Sequence, residues 1–123
     1  MITGIVSSHL LPQVRLTLVG MHSDEEEIEL GIDTGFNGDL SVGIDHAQSL
    51  GWIFREHDNM TLGDGSQILA PFYRGIVMWR GNPRLVSAVA LESEPKIGAG
   101  LLLGNELNIQ YKPGGAVSIS PLE

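Results

Sequence analysis

The sequence predicts a single, mostly-β domain, and two observations carry this prediction. The chain has 123 residues, about the length of one domain, and its 42% hydrophobic content is enough for one compact core. It contains 16 Gly and 6 Pro, with only 18% charged residues, a composition typical of short strands joined by tight turns. We therefore expect residues 1–123 to form one all-β domain.

The first pair of strands is predicted from alternating polar and apolar residues. Period-two alternation runs through Gln13–Val19 and again through Glu27–Ile32, with Gly20–Asp24 between them. This is the pattern of a β-hairpin. The second strand leads directly into Asp33-Thr34-Gly35, so this triplet should lie where a strand gives way to a loop.

The rest of the chain predicts one short helix and further hairpins. Ile44–Leu50 has apolar residues at helical spacing and is followed by Gly51, a plausible helix stop. Ile97–Gly104 indicates a turn into a short buried segment. Three further pairs of strand-like segments flank glycine-containing turns. Asp58–Leu62 and Ser66–Ala70 flank Gly63-Asp64-Gly65, and Tyr73–Arg80 and Arg84–Leu91 flank Gly81-Asn82-Pro83. Leu107–Lys112 and Ala116–Ser120 flank Pro113-Gly114-Gly115.

Charge and composition argue against several classes of protein. The net charge is -8 and acids cluster at Asp24–Glu27, which disfavours nucleic acid and anionic membranes because both recruit Lys and Arg. The chain has no cysteine, which excludes disulfides and thiolate metal sites and fits a reducing, cytoplasmic location. Met1–Gly20 lacks the pattern of a signal peptide, and no apolar run approaches the length of a membrane span.

The most specific signal is the order of three motifs. Asp33-Thr34-Gly35 follows an apolar strand, a glycine-tipped hairpin comes next, and Ile97-Gly98 follows downstream with Leu101-Leu102. This ordered set resembles the retropepsin-like aspartic proteases, in which a strand enters Asp-Thr/Ser-Gly, a flap hairpin follows, and an apolar-Gly turn leads into a short helix. The resemblance runs from about Val14 to Ile119.

The resemblance implies a small closed barrel with one short helix near the C-terminus, acting as an aspartic endopeptidase on an extended peptide or protein substrate. Such proteases are homodimers in which each chain supplies one catalytic aspartate, here Asp33, and they need no metal or cofactor. The two carboxylates share a proton and activate a water molecule. By this resemblance, Thr34 and Gly35 belong to the active-site loop, Leu62, Gly63, Asp64 and Gly65 form the flap and bind substrate, and Ile97 and Gly98 form the turn behind the site.

The sequence departs from that pattern in places. Phe36 stands where a small residue is common, Lys96 replaces an apolar residue before Ile97-Gly98, and Ala99-Gly100 lacks the polar residues that brace this region in viral members. These departures keep a second hypothesis open, a retropepsin-like module that dimerises and binds peptide without cleaving it.

A third hypothesis is a monomeric barrel for an apolar ligand, with Asp33 only a turn residue. If a dimer forms, the apolar termini, around Ile2–Val6 and Val117–Ile119, are candidates for its contact.

The sequence argues against a metal site. A calcium loop that starts at Asp33 would have Ile44 at its twelfth position instead of Glu, and the four histidines lack metal-ligand spacing.

Overall fold

The computed structural model describes residues 1–123, of which 57% lie in strands. The prediction of a mostly-β fold is therefore confirmed. Ten strands and two short helices follow one another along the chain: β1 (Ile2–Val6), β2 (Pro12–Val19), β3 (Glu25–Asp33), β4 (Leu40–Val42), α1 (Ile44–Ser49), β5 (Ile53–Thr61), β6 (Gln67–Trp79), β7 (Asn82–Ala90), β8 (Lys96–Gly98), α2 (Ala99–Leu102), β9 (Asn105–Ile109) and β10 (Ala116–Pro121).

Six of these strands close into a mixed barrel, as predicted. The order around the barrel is β2, β3, β8, β4, β7 and β6, and pairing of Leu18 with Val77 and of Val19 with Ile76 joins β6 back to β2. Two neighbouring pairs are parallel, β3 with β8 and β4 with β7, and the others are antiparallel. The pairings that close the barrel are short: β3 meets β8 over Gly31–Asp33, and β7 meets β4 over Ala88–Ala90.

The core lies inside this barrel and follows from the alternation of side chains along each strand. Leu18, Leu30, Leu40, Val77 and Ile97 come from five different barrel strands and are completely buried. Burying one such side chain contributes about 1.5–3 kcal/mol relative to leaving it in water. The apolar face that alternation predicts for β3 is thus the face that packs into the core.

The strands outside the barrel extend it in two directions. β5 pairs only with β6, and the two form a long hairpin that leaves the barrel. On the other side β1 pairs with β2 and with β10, and β10 pairs with β9. The two termini, which we considered as a dimer contact, pair with each other within one chain, since Ile2 lies opposite Ile119.

The β6–β7 hairpin differs from its prediction in two respects. β6 is one strand that passes through Pro71, where we expected two segments; pairing with β7 begins only at Phe72, so one edge of β6 is still unpaired at the proline. The turn consists of Arg80 and Gly81, with φ of 51° and 83°. Two residues with positive φ give the tight turn that matches strand twist, so the residues after Gly81 already belong to β7.

Both helices are short. α1 begins at Ile44 as predicted, buries Ala47, and is followed by Gly51 with φ of 68°. α2 lies near the C-terminus and buries Leu101. Neither helix has the length and apolar character needed to cross a membrane.

Candidate active site

Asp33 is the last residue of β3, at the point where the strand gives way to a turn, as predicted. Its carboxyl oxygen Oδ1 accepts a hydrogen bond from the Gly35 backbone N–H at 3.0 Å, and its carbonyl oxygen accepts one from the Phe36 N–H at 3.1 Å. The second carboxyl oxygen, Oδ2, makes no hydrogen bond within the chain. The loop therefore fixes the carboxylate through one oxygen and leaves the other available, with Thr34 and Gly35 exposed beside it.

The loop is held from behind by β8 and the start of α2. In the parallel β3–β8 pair, Asp33 lies opposite Gly98. Three backbone hydrogen bonds continue this contact along the loop: Gly98 N–H to Asp39 O at 3.0 Å, Ala99 N–H to Phe36 O at 2.7 Å, and Gly100 N–H to Gly38 O at 3.1 Å. The Ile97-Gly98 turn thus lies where the sequence places it, directly behind the loop that carries Asp33.

Gly98 is required here because the two backbones approach so closely. A Cβ atom at this position would collide with the carbonyl oxygen of Gly38 and would lie 2.6 Å from that of Phe36. The Phe36 ring atom Cδ2, also at 2.6 Å, belongs to a side chain, but the two carbonyl oxygens are backbone atoms, which cannot rotate away as a side chain can. Ile97, by contrast, is completely buried and contributes to the core.

Asp39 ties the other end of the same loop to the barrel. Its Oδ2 accepts a hydrogen bond from the Ser87 backbone N–H of β7 at 3.0 Å. The loop is therefore anchored on two sides, to β8 and α2 through the backbone and to β7 through this carboxylate. No local pattern in the sequence distinguishes Asp39 from the other acids as an anchor of this loop.

The glycine-tipped hairpin has an ordered tip. Asp64 Oδ1 accepts hydrogen bonds from the Ser66 hydroxyl at 2.6 Å and from the Ser66 backbone N–H at 2.9 Å. These bonds favour the ionised carboxylate and hold the pKa of Asp64 below its usual value of 3.8. Gly65 completes the reversal with φ of 86°.

One cavity of about 350 Å3 joins the Asp33 loop to this hairpin. Four predicted site residues line it: Asp33, Gly35, Leu62 and Gly63. Five others do not line it, namely Thr34, Asp64, Gly65, Ile97 and Gly98. The remaining lining residues are Phe36, Ser41, Met60, Thr61, Leu91, Ser93 and Lys96.

Two of these lining residues, Ser41 and Lys96, are not predicted as site residues from the sequence. In the antiparallel β4–β8 pair, Leu40 lies opposite Ile97 and Ser41 lies opposite Lys96. Leu40 and Ile97 are fully buried in the core, so the alternation of side chains turns Ser41 and Lys96 toward the cavity. The sequence marked Lys96 only as a departure from an apolar position, and Ser41 was a polar residue inside the apolar segment Leu40–Val42.

A larger groove of about 420 Å3 lies across β5, β6 and β7 and contains Arg55 and Arg74. It contains none of the residues of the Asp33 loop. We take the smaller cavity as the candidate active site because it combines a carboxylate that has a free oxygen with a hairpin able to cover it. No group of three or more His, Asp or Glu side chains is placed to hold a metal ion.

The geometry defines a small mostly-β protein with a closed six-stranded mixed barrel and a single carboxylate in a cavity beneath a long hairpin. Compared with protein-family models, with curated proteins and with solved structures, the chain gives no match. The function proposed below therefore depends on the site and on the motif order.

Proposed function

We propose that this chain is an aspartic endopeptidase of the retropepsin-like class, active as a homodimer in which each chain supplies one Asp33. One observation carries the proposal: the Asp33 carboxylate and the hairpin residues Leu62 and Gly63 line the same cavity. A hairpin that closes over a carboxylate provides the cover that a hydrolytic site needs to exclude bulk water. The motif order along the sequence supports the same class.

The proposed reaction needs two Asp33 carboxylates and neither a metal nor a cofactor. Two Asp33 side chains at hydrogen-bonding distance cannot both ionise easily, so they share one proton and titrate as a pair. The ionised carboxylate takes a proton from water, whose oxygen attacks the carbonyl carbon of the peptide bond. The C–N bond then breaks as the other Asp33 carboxyl donates its proton to the amide nitrogen, which gives a free carboxyl and a free amine and returns the pair to one shared proton.

Local geometry supports this role for Asp33. The hydrogen bond from the Gly35 N–H holds the carboxylate at Oδ1, so Oδ2 is left for the shared proton or the water. Thr34 is exposed at the tip of the loop, where a second chain would meet it. β5 is an edge strand, and an extended substrate could add to this hairpin through main-chain hydrogen bonds.

A second candidate function is peptide binding without cleavage, and the geometry of the Asp33 loop is equally compatible with it. The hydrogen bond from the Gly35 N–H to Asp33 Oδ1 is also the bond of an ordinary Asx-type turn, which needs no catalysis. The two candidates share this geometry and differ in whether the proton chemistry of Asp33 is used.

The Asp33→Asn variant separates the two candidates. An asparagine keeps an acceptor oxygen for the Gly35 N–H, so the loop should fold unchanged, but it cannot exchange a proton as a carboxylate does. Wild type and variant are compared by sedimentation and by cleavage of a mixed peptide library from acidic to neutral pH. Asp45→Asn, an exposed acid on α1, is the matched control.

Proteolysis predicts cleavage by wild type and by Asp45→Asn, and its loss in an Asp33→Asn variant that still dimerises. Specific activity should also fall on dilution, since a single chain holds only half of the site. A dimer that cleaves nothing at any pH would favour the binding module. A wild-type chain that remains monomeric at high concentration would refute the shared site.

A further inference from the structure

Lys96 is an unusual residue for the cavity that contains Asp33. Asp33 and Lys96 are the only charged side chains that line this cavity. The three ion pairs of the chain involve Arg15 and His46, and none involves Lys96. Lys96 is half-buried as a residue and its ammonium has no carboxylate partner within the chain, so it is available to an acidic group that enters the cavity.

Ser41 provides a second donor beside Lys96. The two residues lie directly opposite each other on β4 and β8, and opposite residues of an antiparallel pair project to the same face. Ser41 is only 3% exposed, and its hydroxyl makes no side-chain hydrogen bond in the structure. A lysine ammonium and a serine hydroxyl side by side form a donor set suited to a carboxylate.

The register also places this pair beside the catalytic residue. Lys96 lies opposite Gly31 in the parallel β3–β8 pair, and Asp33 is two residues further along β3 on the same face. The pair therefore borders the position of a substrate residue close to the bond that Asp33 would attack.

We propose that Lys96 and Ser41 form a specificity subsite for an acidic side chain of the substrate, next to the cleaved bond; this inference rests on the proposed function. The Lys96 ammonium pairs with the substrate carboxylate and the Ser41 hydroxyl donates a hydrogen bond to it. In a symmetric dimer each chain contributes one such subsite, so an acidic residue is favoured on both sides of the scissile bond.

The first experiment measures kcat/KM for peptides that carry Glu or its neutral isostere Gln at each position around the cleaved bond, at about pH 6, where glutamate is ionised. Wild type should prefer Glu over Gln about tenfold at the position next to the cut, as expected for a hydrogen bond to a charged group. Lys96→Met should remove this preference, Lys96→Arg should keep it, and Ser41→Ala should reduce it. Lys112→Met is the matched control because Lys112 is the other lysine and is exposed.

The second experiment measures binding of the same peptides to the Asp33→Asn dimer with and without Lys96→Met, which needs no catalysis. Cleavage by wild type with no Glu preference, or with a Glu preference that survives Lys96→Met, overturns the subsite and leaves the protease proposal standing. Absence of cleavage together with Lys96-dependent binding of Glu peptides refutes the protease and supports the subsite. Absence of both cleavage and Lys96-dependent binding overturns the subsite as well.

Discussion

Replacing Gly98 with alanine tests the close backbone approach behind the Asp33 loop. The added Cβ would collide with the Gly38 carbonyl oxygen and would lie 2.6 Å from the Phe36 oxygen. Overpacking usually costs about 1–3 kcal/mol, and we expect about 3 kcal/mol because two of the three obstructing atoms belong to the backbone. For a domain of this length each kcal/mol lowers the melting temperature by about 4 °C, so Gly98→Ala should melt about 12 °C lower than wild type.

The loop must also move to admit the methyl group, and Asp33 moves with it. A displacement of about 1 Å at a catalytic group can reduce the rate about a hundredfold. If Asp33 is catalytic, as proposed, peptide cleavage by the folded variant should fall by about that factor. Gly43→Ala is the control: its φ is -66° and no atom lies near its Cβ position, so only its place as the N-cap of α1 is affected, at a cost of about 1 kcal/mol or less. A Gly98→Ala variant as stable as wild type would refute the argument.

Two further predictions concern side-chain hydrogen bonds, one of the Trp52 indole and one of the Asp64 carboxylate. Trp52 and Trp79 are both buried, but only the Trp52 indole N–H has a partner, the Val19 carbonyl at 2.8 Å. Trp52→Phe should therefore lower the free energy of unfolding in urea by about 1–3 kcal/mol more than Trp79→Phe does, and equal losses would contradict this. Ser66→Ala should raise the pKa of Asp64 toward 3.8, measured by NMR of the carboxyl carbon. Because the pKa of Asp64 is lower in the folded chain than in the unfolded chain, the stabilisation from the bonds at the hairpin tip is present above pH 3.8 and lost as the pH falls through the folded pKa. An unchanged pKa of Asp64 in Ser66→Ala would show that Ser66 does not hold this carboxylate.

The parts of the fold that the sequence predicts well are those decided by neighbours along the chain. The β2–β3 hairpin follows from alternation within Gln13–Val19 and Glu27–Ile32, which is visible locally. The parallel pairings of β4 with β7 and of β3 with β8 are different, because each joins a three-residue strand to a distant segment. Three residues are too few to show a period, so no local pattern could reveal these pairings.

The same distinction applies to the site. Asp33 could be located from the sequence because the strand before it and the Thr-Gly after it fix its position at a strand end. Ser41 and Lys96 could not be joined to it, because their contact depends on the β4–β8 register. From the sequence alone, Lys96 is only a departure from an apolar position of the motif. The β4–β8 register shows that it is the only basic residue lining the cavity that contains Asp33.

The decisive feature of the site is the asymmetry between the two oxygens of Asp33. Oδ1 accepts the Gly35 N–H, and this bond would be equally useful in a catalytic loop and in an ordinary turn, so it cannot discriminate between them. Oδ2 accepts no hydrogen bond within the chain and so has no part in holding the loop, and Asp33 lines the cavity under the hairpin. A residue needed only for the turn would serve as well with an amide in place of the carboxylate, whereas a general base would not. The proposed catalysis therefore depends on the single oxygen that Asp33→Asn replaces with a nitrogen.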